Sequence, residues 1–91
     1  MNTASSFSLP QRLTHAQATD VLSALSAALQ GGVQCVDLSA LTEFDSSALS
    51  VLLAARRARR DGSPLRCVNA PDKLRKLASL YGVESLIFDE V

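Results

Sequence analysis

The residues best suited to chemistry in this 91-residue chain form one short run, Asp45-Ser46-Ser47, at a predicted strand-to-helix junction. An aspartate at this place caps the first-turn amides of a helix, and the positive end of the helix dipole favours an anion there. A phosphate on Ser46 is therefore compatible with the helix and presents new negative charge to a partner. The alternative from these residues alone is that the run only caps the helix.

The other reactive side chains do not form a pattern for catalysis or for metal binding. His15 is the only histidine, and Cys35 and Cys67 lack the close spacing of a metal motif. Each cysteine is expected to act as a small buried hydrophobic residue. No glycine-rich phosphate loop is present. We therefore predict that the chain is not an enzyme and binds no metal or cofactor.

Helical and extended patterns alternate along the chain and predict a single α/β domain over residues 1–91. The predicted strands are Ser6–Leu9, Val33–Leu38, Leu65–Val68 and Leu86–Phe88. The first predicted helix follows a capping box at Thr14 and Gln17 and stops at Gly31-Gly32. The second runs from about Ser46 to Arg60, and the third opens at Asn69–Asp72 and ends at Gly82. This order predicts a mostly parallel four-stranded sheet with about three helices, joined by right-handed crossovers.

The second predicted helix has two distinct arcs. The first is apolar and suited to packing on a sheet: Ala48, Val51, Leu52 and Ala55. The other holds a serine, two leucines and two arginines: Ser46, Leu49, Leu53, Arg57 and Arg60. If this arc is exposed, its apolar pair rimmed by charge has the form of a protein-docking surface. The alternative is that a neighbouring helix covers the two leucines.

The chain has as many basic as acidic residues, but the two kinds are unevenly distributed along the sequence. Eight of the nine basic residues lie between Arg56 and Lys76, whereas most of the acidic residues lie outside that segment. Such a segment can attract an acidic partner or an anionic surface. The alternative is that these cations are solvated and lie near helix C-termini, where the helix dipole favours them. An aromatic content of 4% argues against a module that stacks nucleic-acid bases.

The run Val36-Asp37-Leu38-Ser39, followed by Phe44-Asp45-Ser46-Ser47-Ala48-Leu49, resembles the signature of the STAS family. The resemblance covers nearly the whole chain and implies the STAS fold. In the anti-sigma factor antagonists of this family, a partner kinase phosphorylates the serine after the aspartate, and Ser46 occupies that place. Ala48 stands where the family usually has glycine, and the chain has room for one N-terminal strand where the family often has two.

The segments Asn69-Ala70-Pro71-Asp72-Lys73-Leu74 and Leu77–Val83 resemble the small cytosolic, MlaB-like STAS subunit of bacterial Mla-type phospholipid transporters. This resemblance implies a non-catalytic subunit that binds the cytosolic ATPase of an ABC transporter for phospholipid trafficking and outer-membrane lipid asymmetry. The alternative is an anti-sigma factor antagonist, with an anti-sigma factor kinase as partner and Ser46 as the switch. A third hypothesis is a small-molecule-binding STAS module, for which the sequence offers no pocket motif.

The resemblance implies a partner contact at Ser46 and on the neighbouring helix face. The candidate partner-binding residues are Asp45, Ser46, Ser47, Leu49, Leu53, Arg57, Arg60 and Tyr81. For Tyr81, core packing is the alternative, because this residue continues the apolar stripe of the third helix.

Membrane insertion and nucleic-acid binding are not expected. No run approaches the roughly 18 apolar residues that a membrane-spanning helix needs. Met1–Phe7 carries neither the basic nor the apolar region of a secretory signal. We therefore expect a cytoplasmic protein, held at the cytosolic face of the inner membrane through its partner.

Overall fold

A computed structural model of the chain describes residues 6–58 and 65–88. It contains five short strands and four helices in these residues. The strands are β1 (Ser6–Ser8), β2 (Arg12–Leu13), β3 (Cys35–Asp37), β4 (Glu43–Phe44) and β5 (Arg66–Val68). The helices are α1 (Ala18–Gln30), α2 (Ser47–Ala58), α3 (Asp72–Leu80) and α4 (Glu84–Ile87).

All the strand pairs among the described residues are parallel. The main sheet has the order β1-β3-β5, and β2 and β4 form a separate two-stranded pair. Phe7, Val36 and Cys67 share one row of the main sheet. Val36 is fully buried, and the other two side chains pack against the core, so this row faces the helices. The predicted α/β class with a mostly parallel sheet is confirmed.

Glycine ends two of the helices as the sequence predicts. Gly32 has φ 106°, and the next amide, that of Val33, donates to the carbonyl of Ala28 at 3.1 Å. This bond defines a Schellman turn, which pairs a carbonyl that the last helical turn leaves unpartnered. Gly82 ends α3 with the same type of turn, at φ 72°. A side chain at either glycine would meet strain from this backbone conformation.

The predicted capping box is only half formed. The side-chain Oε1 of Gln17 accepts hydrogen bonds from the backbone N–H and the hydroxyl of Thr14, at 2.9 and 2.8 Å. A full box also needs the Thr14 hydroxyl to accept from the Gln17 amide, but that amide donates to the Thr14 carbonyl instead. The two residues therefore close a separate turn, and α1 begins after it, at Ala18.

The prediction of a strand at Leu86–Phe88 is wrong, because this segment contributes to the helix α4. The amides of Ile87 and Phe88 donate to the carbonyls of Val83 and Glu84, which is the spacing of a helical turn. Ile87 and Phe88 are buried while Leu86 is exposed. A short apolar run fits a strand or a helix equally well, and here the tight turn at Gly82 directs the chain back over the helices.

The core lies between the sheet and the helices, and α2 is central to it. The arc of α2 predicted to face the sheet is buried throughout: Ala48, Val51, Leu52 and Ala55. Helix α1 packs along α2, and α4 contacts both α2 and α3. Ser46, directly before α2, remains exposed, as do Ser50 and Arg57 on the helix itself.

We predict that Leu52→Ala lowers the free energy of unfolding by about 2–5 kcal/mol, because Leu52 is fully buried and its truncation leaves a cavity. Urea denaturation measures the change. The matched control is Leu80→Ala, at a leucine that is 82% exposed, with an expected effect within about 0.5 kcal/mol. Equal losses for the two variants would contradict the packing described above.

Candidate functional site

The strand pair β2–β4 brings the beginnings of α1 and α2 together. Leu13 and Phe44, the last residues of the two strands, are register partners in this parallel pair. Parallel strands run in the same direction, so the chain leaves both strands at the same edge. After β2 the chain enters the turn before α1, and after β4 it enters the beginning of α2. Arg12 and Glu43 form an exposed ion pair across the strands at 3.1 Å, which stabilises them little.

Asp45 joins these two helix beginnings with one carboxylate. Its Oδ1 accepts from the amide of Ser47 at 2.8 Å, the bond that an N-cap residue makes, and its Oδ2 accepts from the amide of His15 at 3.2 Å. The Ser47 amide is the main cause that lowers the pKa of Asp45 below its ordinary value, and the amide and imidazole of His15 act in the same direction. The predicted capping role of Asp45 is therefore present, and the link to His15 is an addition that the sequence did not reveal.

Ser46 lies directly after this carboxylate and is exposed, whereas Ser47 is half-buried. The Ser46 carbonyl accepts from the amides of Leu49 and Ser50, so the backbone of Ser46 is fixed by the first turn of α2. A fixed backbone with an exposed hydroxyl suits contact with another molecule. The role of both serines in partner binding stays a prediction.

The prediction that Leu49 faces outward is wrong. Leu49 is only 3% exposed and belongs to the core, and Leu53 is half-buried against the same core. Helices α1 and α4 both pack against α2, so more of α2 is covered than the arc predicted to face the sheet. The alternative considered from the sequence, a neighbouring helix over these leucines, describes Leu49 correctly and Leu53 in part.

Tyr81 is 60% exposed, so core packing is not its role. It follows α3 as the C-terminal capping residue, so the helix ends before it and the helical stripe no longer places its side chain in the core. Leu80 and Leu86 are the other large apolar side chains that are exposed within the described residues. Leu80 and Tyr81 lie at the end of α3 and Leu86 lies in α4, the next helix; we call these three residues the apolar corner. Its position agrees with partner binding, which stays a prediction for Tyr81.

The basic residues of the central segment have different surroundings. Arg57 is exposed on α2, while Arg56 donates to the Leu65 carbonyl at 3.3 Å. The Arg75 guanidinium lies 4.8 Å from the ring centre of Phe88, within the range of a cation–π contact. Part of the positive charge thus serves internal packing, and Arg57 is available to a partner. The candidate Arg60 lies outside the described residues.

A second carboxylate network joins the ends of β3 and β5. Asp37 Oδ1 accepts from the Ser39 amide at 2.9 Å and from Asn69 Nδ2 at 3.1 Å. The Ser39 bond is the main cause that lowers the pKa of Asp37, and the Asn69 bond adds to it. Asn69 has φ 60°, a conformation that asparagine tolerates better than most residues. Its place directly after a strand was the available sequence signal for this contact.

No cluster of three or more histidine, cysteine or acidic residues suited to a metal ion occurs in residues 6–58 and 65–88. Neither Cys35 nor Cys67 forms a disulfide, and both are half-buried, so each is less buried than predicted. Of the helices in the described part of the chain, none is long and apolar enough to cross a membrane. The geometry at the beginning of α2 offers hydrogen bonding and exposed surface.

We predict that acid destabilises the fold through Asp37 and Asp45. Their pKa values in the folded chain lie below the ordinary value of 3.8, so the unfolded chain binds protons first as the pH falls. Their stabilisation is complete above the ordinary pKa and is lost as the pH falls through the folded pKa. The thermal midpoint, measured from about pH 6 to about pH 2.5, should therefore decline less steeply in Asp37→Asn/Asp45→Asn than in the unmodified chain. An unchanged slope would contradict this assignment.

Comparison with known protein families gives one match. The family profile described as "Mlab, STAS domain" matches residues 3–88, which is nearly the whole chain. Comparison with curated proteins gave no match. The mixed α/β order and the mostly parallel sheet agree with the STAS fold. The chain belongs to the STAS domain family and is of the MlaB-like type.

Proposed function

We propose that this chain is a non-catalytic subunit that binds the cytosolic ATPase of an ABC transporter for phospholipid trafficking. The observation that carries the proposal is the MlaB-like type of its STAS domain over residues 3–88. STAS domains act in protein interaction and are generally non-catalytic. In the bacterial transporters that the sequence resembles, the corresponding subunit supports ATPase assembly and outer-membrane lipid asymmetry. Through this partner, the chain would be held at the cytosolic face of the inner membrane.

The beginning of α2 is the proposed centre of the contact with the ATPase. Asp45 and Ser46 are exposed there, and Arg57 is exposed farther along the same helix. Leu53 is half-buried and can contribute only its outer part to a contact. Leu49 is not part of the proposed contact, because it is sealed in the core.

The apolar corner is the second part of the proposed contact. Helix α4 touches both α2 and α3, so the corner belongs to elements that adjoin α2. Tyr81, Leu80 and Leu86 expose 60%, 82% and 53% of their surfaces, which favours burial against a partner. Tyrosine is also a residue type that is enriched at the centres of protein interfaces.

We predict that Ser46→Arg weakens binding of the ATPase at least about tenfold, because a long charged side chain then occupies the centre of the contact. The tagged chain first captures the ATPase from a lysate of the source organism, and mass spectrometry identifies it. Calorimetry with the purified ATPase then measures the affinity. A substitution at Leu53 is a poorer test, because it also disturbs the core.

The matched control is Ser23→Arg, which makes the same change at an exposed serine of α1. It should bind the ATPase as the unmodified chain does. Equal weakening by the two variants would show that added charge reduces ATPase binding regardless of its position. Full binding by Ser46→Arg would show that the beginning of α2 is not part of the contact.

The second candidate function is an anti-sigma factor antagonist regulated by phosphorylation. One observation favours it: Ser46 follows Asp45 at the beginning of α2 and is exposed, as a kinase substrate must be. A phosphate there is compatible with the positive end of the helix dipole. An anti-sigma factor kinase takes the place of the ATPase as partner in this case.

We predict no phosphate on Ser46 after incubation with a cognate anti-sigma factor kinase and ATP, because the proposed role needs no covalent switch. Intact-mass measurement and peptide sequencing provide the readout, with Ser46→Ala as the control. A phosphate that appears on Ser46 and is absent from the control would favour the second candidate, above all if the tagged chain captures only an anti-sigma factor.

A further inference from the structure

The turn before α1 contacts Asp45, the residue before Ser46, and is closed by hydrogen bonds of its own. Thr14 and Gln17 close it with two hydrogen bonds to one side-chain oxygen and one between backbone groups, at 2.8–3.0 Å. His15, the second residue of this turn, is exposed. Leu13, the residue before the turn, is fully buried, so the turn is anchored in the core. His15 therefore has a defined place at the surface.

Asp45 holds His15 in this place through an oxygen that the N-cap does not use. The Ser47 amide occupies Oδ1, and the His15 amide occupies Oδ2. The two bonds thus need two acceptor oxygens, which a carboxylate has. An asparagine side chain has only one acceptor oxygen and can keep only one of the two bonds.

Asp37 provides an internal contrast. The bonds from the Ser39 amide and from Asn69 Nδ2 end on the same oxygen, Oδ1. One carbonyl oxygen of an asparagine can accept both of them. The same substitution, aspartate to asparagine, therefore separates the two sites: it can preserve the network at Asp37 but must break one bond at Asp45.

We propose that Asp45 is a positioning residue whose second oxygen holds His15 beside Ser46, so that His15 belongs to the partner contact. This inference rests on the proposed function in that the partner is the ATPase. The contact that it describes is polar: an imidazole from the turn before α1, a hydroxyl from the beginning of α2 and the carboxylate between them. It fits a hydrogen-bonding surface on the ATPase, whereas the apolar corner fits an apolar one.

The positioning role is tested without a partner by amide hydrogen exchange of the full chain, followed by NMR. In Asp45→Asn, the amide of His15 should exchange about threefold faster or more, while that of Ser47 stays within about twofold, because asparagine is also a good N-cap. Asp37→Asn is the matched control and should leave the His15 amide unchanged. Unchanged exchange at His15 in Asp45→Asn would overturn the positioning role.

The contact role is tested by calorimetry with the purified ATPase. His15→Ala removes the imidazole but keeps the backbone N–H that bonds to Asp45, and it should weaken binding about fivefold or more. Asp45→Asn should also weaken binding, while Asp37→Asn and Ser23→Ala should not. Thermal midpoints of the four variants show whether each is folded.

The outcomes separate this inference from the proposed function. If Ser46→Arg loses binding and His15→Ala keeps it, His15 is not part of the contact and the inference fails alone. If the unmodified chain binds no ATPase, the proposed function fails, and with it the assignment of His15 to an ATPase contact. The exchange experiment still decides whether Asp45 positions His15.

Discussion

The burial of α2 on two sides is the constraint on which the rest of this structure depends. Leu52, on the arc predicted to face the sheet, and Leu49, beside that arc, are both in the core, and α1 and α4 pack against the helix. A helix buried in this way can offer little of its length to another protein. Asp45 and Ser46 remain exposed at its beginning, which we propose as the centre of the contact, and Arg57 is exposed farther along the helix. The core that stabilises the fold thus also decides where a partner can bind.

The carboxylates of Asp37 and Asp45 hold neighbouring loops in place through hydrogen bonds. Each aspartate, Asp37 or Asp45, uses its carboxylate to pair donors from two different elements, and hydrogen bonding lowers the pKa of both. Asp37 ties the end of β3 to the residue after β5, and Asp45 ties the beginning of α2 to the turn before α1. Such bonds keep loops in one conformation at a surface, which lowers the entropy cost when a partner binds there.

Much of the fold could be predicted from the sequence because local signals agreed with each other. The glycines after α1 and α3 end those helices, and the capping residue before α2 does what its type indicates. The alternation of strands and helices was enough for a parallel α/β sheet. The short pair β2–β4 was not predicted, since strands of two residues carry no periodic pattern.

The predictions that the structure contradicts failed because tertiary packing, which the local sequence does not encode, decided the outcome. Leu49 lies on an arc that the helix periodicity places beside the sheet-facing one, and only the packing of other elements against α2 decides that it is buried. The last apolar run became α4 rather than a strand because the turn at Gly82 laid it on α2 and α3. Tyr81 lies outside the core because α3 ends one residue before it, at Leu80. The link between His15 and Asp45, 30 residues apart, has no signature in either segment.

The central claim, that the beginning of α2 is where the ATPase binds, is tested most directly by site-specific photocrosslinking. A benzophenone amino acid at position 46 should form a covalent product with the ATPase subunit, and the same group at position 23 on the exposed side of α1 should not. Crosslinking from position 23 but not from position 46 would contradict the claim.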